Sequence, residues 1–440
     1  MPDTDGPRCM SALPIGTAGP GPCGEIDAPP RDPSPTLQGP RPMDDSRDFS
    51  DLSPWEPHIR SFVAFCPPDA RAAPSSGPLR GLTVGVKDII DVAGLPTRNG
   101  SAACEGAAPA EADAPVVAAL RQAGARIVGK TTTTEFAFTD PTACRNPHDL
   151  TRTPGGSSSG SGAAVAAGLV DLALGTQTAG SLCRPAAYCG VVGVKPTYGV
   201  LPVEGMTPLA RSFDTVGIIA RDVAVARSAF SVLAPNAAET ADPLRSARLL
   251  LPTQTRATQE THAAWQDAAD AMGAAREVVP EIDVAAIVAA HRCVMQAEAA
   301  ETHAALLHPD RIGLLQPKFR AGLEAGATLS PGEVAEARNT LDAARMAFWR
   351  QMQEVDVILT LPVPDGAPLI DGTTGFQDWL TPWTVVGGPL VSLPWGLDSL
   401  GRPRAVMLAG HPGDDLRLLS VAASLESKAP PIPRPQPPGA

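Results

Sequence analysis

Aromatic residues are scarce in this sequence of 440 residues. Phe, Trp and Tyr together make up 4% of the chain, although hydrophobic residues as a whole make up 43%. Small aliphatic side chains must therefore fill much of the interior that aromatic rings usually occupy. A chain of this length can bury a substantial core, in one large domain or in two smaller ones.

Paired cysteine motifs are also missing. The eight cysteines include no CxxC pair. Their spacing therefore indicates neither a zinc site nor a scaffold held together by disulfides. Free thiols in a reducing compartment are the default expectation. We predict that the protein uses no metal and no cofactor.

The sequence lacks an excess of basic charge and lacks long apolar runs. Its formal net charge is −12 at pH 7, which disfavours nucleic acid as a partner. No apolar run reaches the ~20 residues that a membrane helix needs. The N-terminus has no basic start followed by an apolar core, so it is unlike a secretory signal. We expect a cytoplasmic protein with no membrane partner, and we leave a homodimer open.

Proline and glycine are concentrated at the two ends of the chain. Residues 1–50 and 429–440 show no periodic apolar pattern, so we predict a disordered N-terminal extension and a disordered proline-rich tail. Met43 is an alternative start. Residues 60–428 contain no stretch typical of a linker between domains. We therefore predict a single domain, over residues 51–428.

Strand-like and helix-like segments alternate along the first half of this domain. The segments GLTVGVKDII (81–90) and DLALGTQT (171–178) are typical of strands, and APVVAALRQAGA (114–125) is typical of a helix. Such alternation predicts an α/β fold, with a central mixed, mostly parallel twisted sheet covered by helices on both faces. Residues 257–350 are predicted to be mostly helical.

The stretch TPGGSSSGSGAAVAAG, which begins at residue 153, gathers four serines among glycines. A flexible linker, a phosphate-binding loop and a catalytic loop are the three candidate interpretations. A linker is disfavoured because the stretch continues directly into a predicted helix. A phosphate-binding P-loop requires a lysine after its last glycine, and the nearest lysine that follows is Lys195. A catalytic loop is the interpretation that remains.

Two other features favour this catalytic interpretation. A second loop of small residues, GTQTAGSLCRP (175–185), follows a predicted strand and carries Ser181. Its backbone N–H groups would be free to stabilise an oxyanion. Lys87 lies upstream in the aliphatic strand LTVGVKDII. An exposed edge strand, or an ion pair with Asp88 or Asp91, would explain this lysine without catalysis.

Taken together, these segments resemble the amidase signature family. The matching stretches are GLTVGVKDIIDVAGLPTRNGS, VGKTTTTEFAF, RNPHDLTRTPGGSSSGSGAAVAAGLVDLALGTQTAGS and CGVVGVKPTYGVLP. The resemblance is strong over residues 80–235 and looser to about residue 426. The second loop is closest to the GTQTAGS, or malonamidase-like, branch. The resemblance implies the amidase signature fold, with 51–428 as the catalytic domain.

The resemblance also assigns a catalytic triad. It places the nucleophile at Ser181, the bridging cis-serine at Ser157 and the base at Lys87. The family's spacing of 24 positions between the two serines is kept here. The oxyanion would lie against four backbone N–H groups, those of Thr178, Ala179, Gly180 and Ser181. The apolar neighbours of Lys87 would lower its pKa and leave it neutral near pH 7.

The resemblance implies an amidase that acts on a small-molecule amide through an acyl-serine. In the malonamidase-like branch, an arginine three positions after the nucleophile holds a substrate carboxylate. Arg184 has this position, and bracing of the loop is the alternative role. A carboxylate-binding Arg184 would make the substrate a small amide acid. The A subunit of a tRNA-dependent amidotransferase and a hydrolase of a ureide, such as carboxybiuret or allophanate, are the alternative functions.

Several nearby residues receive structural interpretations. Ser158, Ser159 and Ser161 either support the catalytic residues through hydrogen bonds or cap the helix at 161–170, and we favour the capping role. Asp214 is predicted to hold a turn, and His148 is a weaker candidate for a catalytic partner. Cys183 and Cys189 are predicted to be buried thiols. Gln177 stands where the family more often has Asp, and the sequence does not explain this difference.

Overall fold

The computed structural model describes residues 54–67, 74, 76–238, 245–251 and 254–439. The predicted N-terminal extension, residues 1–50, lies outside this range. In the described residues, ten strands form one sheet. These strands are β1 (Phe62–Phe65), β2 (Thr83–Lys87), β3 (Arg126–Thr131), β4 (Leu172–Gln177), β5 (Val192–Lys195), β6 (Thr215–Ala220), β7 (Ser246–Arg248), β8 (Val357–Thr360), β9 (Leu390–Leu397) and β10 (Pro403–Gly410).

The α/β class is confirmed, but the prediction of a mostly parallel sheet is wrong. The strand order is β1-β3-β2-β4-β6-β5-β9-β10-β8-β7. In the described sheet, only β2–β3, β2–β4 and β7–β8 are parallel pairs, and the other neighbours are antiparallel. Parallel neighbours require a crossover connection, usually a helix. In these described segments no α-helix separates β5 from β6 or β9 from β10, so these strands return antiparallel.

The α-helices flank this sheet. They are α1 (Glu56–Ile59), α2 (Pro115–Gln122), α3 (Ser159–Ala166), α4 (Cys183–Cys189), α5 (Val223–Leu233), α6 (Gln259–Met272), α7 (Val284–Thr302), α8 (Pro309–Ile312), α9 (Pro317–Thr328), α10 (Pro331–Gln351), α11 (Thr381–Val385) and α12 (Asp415–Glu426). The predicted helical region, 257–350, corresponds to α6–α10. None of the described helices is both long and apolar enough to cross a bilayer.

Alternating side chains of β4 are buried on the two opposite faces of the sheet. Leu172 and Leu174 belong to the largest apolar cluster, which includes side chains of α2 and α5. Ala173 points the other way, into a second cluster with Ala163 and Ala164 of α3. Side chains alternate between the faces of a strand, so helices cover both faces. The small residues of α3 let this helix lie close to the sheet and place the serine loop beside the ends of β2 and β4.

The C-terminal tail, described to residue 439, is extended and contacts the domain. Ile432 lies next to Gly190, and Arg434 lies directly over Gly168 at the end of α3. The absence of helix and strand between α12 and residue 439 agrees with the proline-rich composition. Two tail side chains therefore contact the domain, while residues 429–439 are exposed or half-buried, and the disorder of the tail stays a prediction.

Candidate active site

Lys87 is the last residue of β2 and is completely buried. Its Nζ lies 2.6 Å from Ser157 Oγ and 2.7 Å from Thr176 Oγ1. The two non-catalytic explanations for this lysine are wrong. β2 is an interior strand between β3 and β4, and Asp88 pairs instead with Lys130 at 3.0 Å. Among the described residues, the amine is therefore held by two hydroxyl groups and by no carboxylate in hydrogen-bonding contact.

Burial sets the electrostatics of Lys87. The pKa of its amine is lowered to about 7, mainly by desolvation; the Asp214 carboxylate opposes this shift, and the nearby Arg184 adds a smaller lowering effect. Burial in turn raises the pKa of Asp214 to about 6, although Thr178 and two backbone N–H groups stabilise its carboxylate. A lysine with a pKa near 7 is half neutral at physiological pH, as a general base must be.

Ser157 follows the one cis peptide bond in the described residues, Gly156–Ser157. This serine is fully buried, and its carbonyl accepts a hydrogen bond from the Thr134 N–H at 3.1 Å. Its hydroxyl is directed at Lys87. The sequence motif therefore brings the predicted base and the predicted bridging serine into direct contact.

The other serines of the run are not helix caps, so that prediction is wrong. α3 begins at Ser159, and its N-cap residue, Ser158, makes no side-chain cap bond. Ser159 Oγ donates to Gly155 O at 2.7 Å, and Ser161 Oγ donates to Leu174 O of β4 at 3.0 Å. Ser158 Oγ bonds to the backbone of Thr176. The hydroxyls thus attach the helix and its loop to the neighbouring strand.

Ser181 lies in the turn between β4 and α4 and is 7% exposed. Its carbonyl accepts a hydrogen bond from the Ser158 N–H at 3.2 Å, which ties the two small-residue loops together. Among the described residues, no hydrogen bond joins the hydroxyls of Ser181 and Ser157. In enzymes without substrate, catalytic hydrogen bonds are often long and tighten in the complex.

The loop from Thr178 to Ser181 is held from its carbonyl side. Three successive carbonyls accept hydrogen bonds: Thr178 O from His291 Nε2 at 2.8 Å, Ala179 O from Thr384 Oγ1 at 2.5 Å, and Gly180 O from the Arg184 N–H at 3.1 Å. In a trans peptide the N–H points opposite to the C=O. The N–H groups of Ala179, Gly180 and Ser181 therefore face away from these anchors, and they donate to no acceptor among the described residues.

The hydrogen bonds of Gln177 explain why this chain has Gln where the family more often has Asp. Its Oε1 accepts hydrogen bonds from the Leu182 and Cys183 N–H groups, each at 3.0 Å. Its Nε2 donates to Thr384 Oγ1 at 2.9 Å. A carboxylate could accept the two backbone bonds but could not donate to this hydroxyl. The amide thus satisfies both ends of a buried network that supports the loop.

Arg184 lies in α4, where it is 1% exposed. Its Nε and Nη2 both donate to Gly156 O, at 3.0 and 2.6 Å, and its Nη1 donates to Gly375 O at 3.0 Å. These contacts fix the carbonyl that precedes Ser157 and hold a loop from the C-terminal half against it. They favour the bracing role, and the carboxylate-binding role stays a prediction.

The remaining candidates lie apart from the triad or support it. His148 Nε2 bonds to Cys189 O at 3.1 Å, and no contact connects it to Lys87 or the two serines in the described part of the chain. Asp214 accepts bonds from Thr178 Oγ1 and from the Leu209 and Ala210 N–H groups, as expected of a residue that holds a turn. Cys183 and Cys189 are completely buried, and burial raises the pKa of each thiol.

Sequence reasoning missed His291 and Thr384. Both are buried, and they come from α7 and α11. These helices lie more than 100 residues after the loop from Thr178 to Ser181, which we call the nucleophile loop. Neither residue belongs to a local pattern that indicates chemistry. No group of three or more His, Cys, Asp or Glu residues is placed to hold a metal ion in the described ranges.

Comparison with known proteins decides the family. Residues 66–419 match the sequence profile of the Amidase family. This chain belongs to that family. The branch within the family, which the second loop suggested, stays a prediction.

Relatives of this amidase family member include two kinds of protein. The chain is 47% identical over 182 residues to the A subunit of glutamyl-tRNA(Gln) amidotransferase from Anaeromyxobacter dehalogenans, covering 38% of this chain and 37% of that protein. It is 34% identical to the amidase candidate AmiB2 of Mycobacterium bovis, covering 80% and 83%. This local similarity spans little more than a third of that amidotransferase subunit.

A solved structure shares the fold of this amidase family member over most of its length. It comes from a protein complex that revealed the evolutionary origins of an s-triazine catabolic enzyme. The two chains superimpose with a TM-score of 0.81 at 28% identity, covering 88% of this chain and 94% of the other. The likeness therefore extends well beyond the signature core, residues 80–235.

Proposed function

We propose that this protein is an amidase, which hydrolyses a carboxamide C–N bond to a carboxylate and ammonia or an amine through an acyl-serine intermediate. The observation that carries this proposal is the contact between Lys87 and Ser157. A fully buried amine, with a pKa lowered to about 7, lies 2.6 Å from a serine hydroxyl. A neutral lysine in this position can accept a proton from a hydroxyl relay.

In the first step, Ser181 Oγ attacks the amide carbon and forms the new C–O bond. The carbonyl π electrons move to the oxygen. The Ser181 proton passes to Ser157 as Ser157 gives its own proton to Lys87 Nζ. The Ser157–Ser181 contact forms when substrate is bound. Each proton transfer is between neighbouring groups, so a single buried base serves the whole relay.

In the second step, the tetrahedral intermediate collapses and the C–N bond breaks. Protonated Lys87 returns its proton through Ser157 to the leaving nitrogen, which departs as ammonia or an amine. A water molecule then attacks the acyl-serine by the same relay and releases the carboxylate. Lys87 therefore acts as base and as acid in turn, which suits a pKa near neutrality.

The developing oxyanion is stabilised by the backbone N–H groups of Ala179, Gly180 and Ser181, together with that of Thr178 as the sequence predicts. The first three lack acceptors in the described part of the protein and lie in a loop held from its opposite side. Donors fixed in advance cost no reorganisation during the reaction, and each is typically worth ~3 kcal/mol of barrier.

The substrate class depends on Arg184. Its contacts with the carbonyls of Gly156 and Gly375 support a neutral amide as the first substrate to test. A small amide acid, or a ureide of the carboxybiuret or allophanate type, is the second class. The similarity to amidotransferase A subunits favours a further candidate, a component that transfers ammonia within a larger assembly.

The decisive experiment measures ammonia and amine release by the purified chain alone, with a panel of amides, amide acids and ureides. An amidase turns over at least one substrate without partners, whereas an amidotransferase component depends on them. Ser157→Ala and Lys87→Met should each abolish turnover. Lys195→Met is the matched control, because Lys195 is equally buried but donates to Pro196 O, outside the proposed relay. Turnover that persists in Lys87→Met would contradict the proposed base.

A further inference from the structure

Two side chains outside the signature segments contact the nucleophile loop. His291 is on α7 and Thr384 is on α11. They are 3% and 5% exposed. Each donates to a loop carbonyl, His291 Nε2 to Thr178 O and Thr384 Oγ1 to Ala179 O. Both belong to the C-terminal half of the domain, whereas the three proposed catalytic residues belong to the first half.

These bonds determine where the loop N–H groups point. The Thr178 carbonyl and the Ala179 N–H share one peptide plane, and the Ala179 carbonyl and the Gly180 N–H share the next. Because the two groups of a trans peptide point in opposite directions, holding each carbonyl also aims the N–H behind it. The glycine of this loop would not fix these planes by itself, since a residue without Cβ can adopt many backbone conformations.

The anchors are themselves fixed. The His291 ring packs against Phe213, with ring centroids 4.3 Å apart. Burial lowers the pKa of His291 to about 4, so its ring is neutral near pH 7 and its Nε2 carries the proton that Thr178 O accepts. Thr384 Oγ1 accepts a hydrogen bond from Gln177 Nε2 at 2.9 Å, which directs the hydroxyl proton toward Ala179 O.

We propose that His291 and Thr384 are positioning residues for the oxyanion hole: they hold successive carbonyls of the loop so that the Ala179 and Gly180 N–H groups are aimed at the oxyanion. This inference rests on the proposed amidase function. It predicts that losing either donor lowers transition-state stabilisation and leaves ground-state substrate binding nearly unchanged.

The test compares four variants with wild type. His291→Phe keeps a ring against Phe213 and removes the donor, and Thr384→Val is isosteric and removes the hydroxyl. His291→Gln and Thr384→Ser restore a donor at each position. His303→Phe is the matched control, because His303 is also buried, packs against Phe136 and donates to a carbonyl, that of Pro208, outside the nucleophile loop.

The measurements are kcat, KM, the thermal unfolding midpoint, and the Kd of a trifluoromethyl ketone analogue of the best substrate, which forms a tetrahedral adduct. We expect His291→Phe and Thr384→Val to lower kcat by roughly 10- to 100-fold, on the scale of misplaced or lost oxyanion donors. KM should change less than about threefold, and the analogue should bind more weakly by a factor similar to the loss in kcat. The Gln, Ser and His303→Phe variants should stay near wild type.

Folded His291→Phe and Thr384→Val proteins with wild-type kcat and wild-type affinity for the analogue would overturn the proposal. If His291→Phe does not fold, the isosteric Thr384→Val decides alone. Weaker analogue binding in His303→Phe would also overturn it, because the effect would then belong to general packing. A wild-type protein that neither turns over amides nor reacts at Ser181 would instead overturn the proposed function, and this inference with it.

Discussion

Replacing Lys87 with methionine tests the electrostatic basis of the proposed mechanism. The two side chains are unbranched and of similar length, so the change removes the amine and keeps most of the buried volume. The structure gives Lys87 an amine pKa of about 7, lowered from 10.5 mainly by desolvation. The substitution should therefore affect two pH-dependent properties, the stability of the fold and the rate of turnover.

The effect on stability has a definite sign. A lysine whose pKa is lower in the folded state binds fewer protons there than in the unfolded chain, so the free energy of unfolding rises with pH between about 7 and 10.5. Each unit of pKa difference corresponds to about 1.4 kcal/mol when fully expressed. Between pH 7 and pH 9, wild type should gain about 2 kcal/mol of stability relative to Lys87→Met.

The effect on turnover comes from the same lowered pKa, because only the neutral amine can accept a proton. The kcat/KM of wild type should fall about tenfold per pH unit below about pH 7, as Lys87 becomes protonated. Lys87→Met should lose turnover at every pH, because no other group in the described site is placed to receive the Ser157 proton.

The assay is urea unfolding of both proteins at pH 7 and pH 9, together with the pH profile of kcat/KM for wild type. Lys195→Met is the control for removing a buried lysine, and it should retain turnover. Parallel stability profiles for wild type and Lys87→Met would refute the lowered pKa. An acid limb centred near pH 4 or 5 would show that the essential group is not Lys87.

Three further predictions address the surroundings of the triad. Arg184→Ala should lower kcat/KM by the same factor for an amide acid and for its neutral diamide, because Arg184 braces two backbone carbonyls. A loss confined to the amide acid would establish a carboxylate-binding role. Asp214→Asn should shift the acid limb of kcat/KM to lower pH, because the Asp214 charge raises the pKa of Lys87, and an upward shift would contradict this. Iodoacetamide at pH 7.5 should leave turnover intact, because Cys183 and Cys189 are buried and burial raises the pKa of Cys183 to about 12; rapid inactivation with label on either thiol would contradict it.

The parts of the site that could be predicted are those built from local segments. The serine run and the loop around Ser181 are short, rich in small residues and unusual in composition. A lysine among aliphatic residues also stands out, since burial of an amine requires a reason. These local signals favour a catalytic role for the two loops and Lys87, and the resemblance to the amidase signature family assigns the individual triad residues. The structure brings two of them, Lys87 and Ser157, into contact.

Other parts depend on contacts between distant segments. His291 and Thr384 reach the nucleophile loop only because α7 and α11 pack beside it, and nothing in their own segments marks them. The directions of the strands were also mispredicted, because alternating segments suggest crossovers, whereas β6 and β10 return without an intervening α-helix in the described chain. The role of Gln177 likewise depends on a hydrogen bond to Thr384, which is 207 positions away in the sequence.

The formation of an acyl-enzyme at Ser181 is the most direct test of the account. Purified protein should be incubated with a fluorophosphonate, or with a slow ester substrate and an acid quench, and then mapped by peptide mass spectrometry. The proposed mechanism predicts stoichiometric labelling of Ser181, loss of this label in Ser181→Ala, and much slower labelling in Lys87→Met. Label on another residue, or an active preparation that never carries label at Ser181, would contradict it.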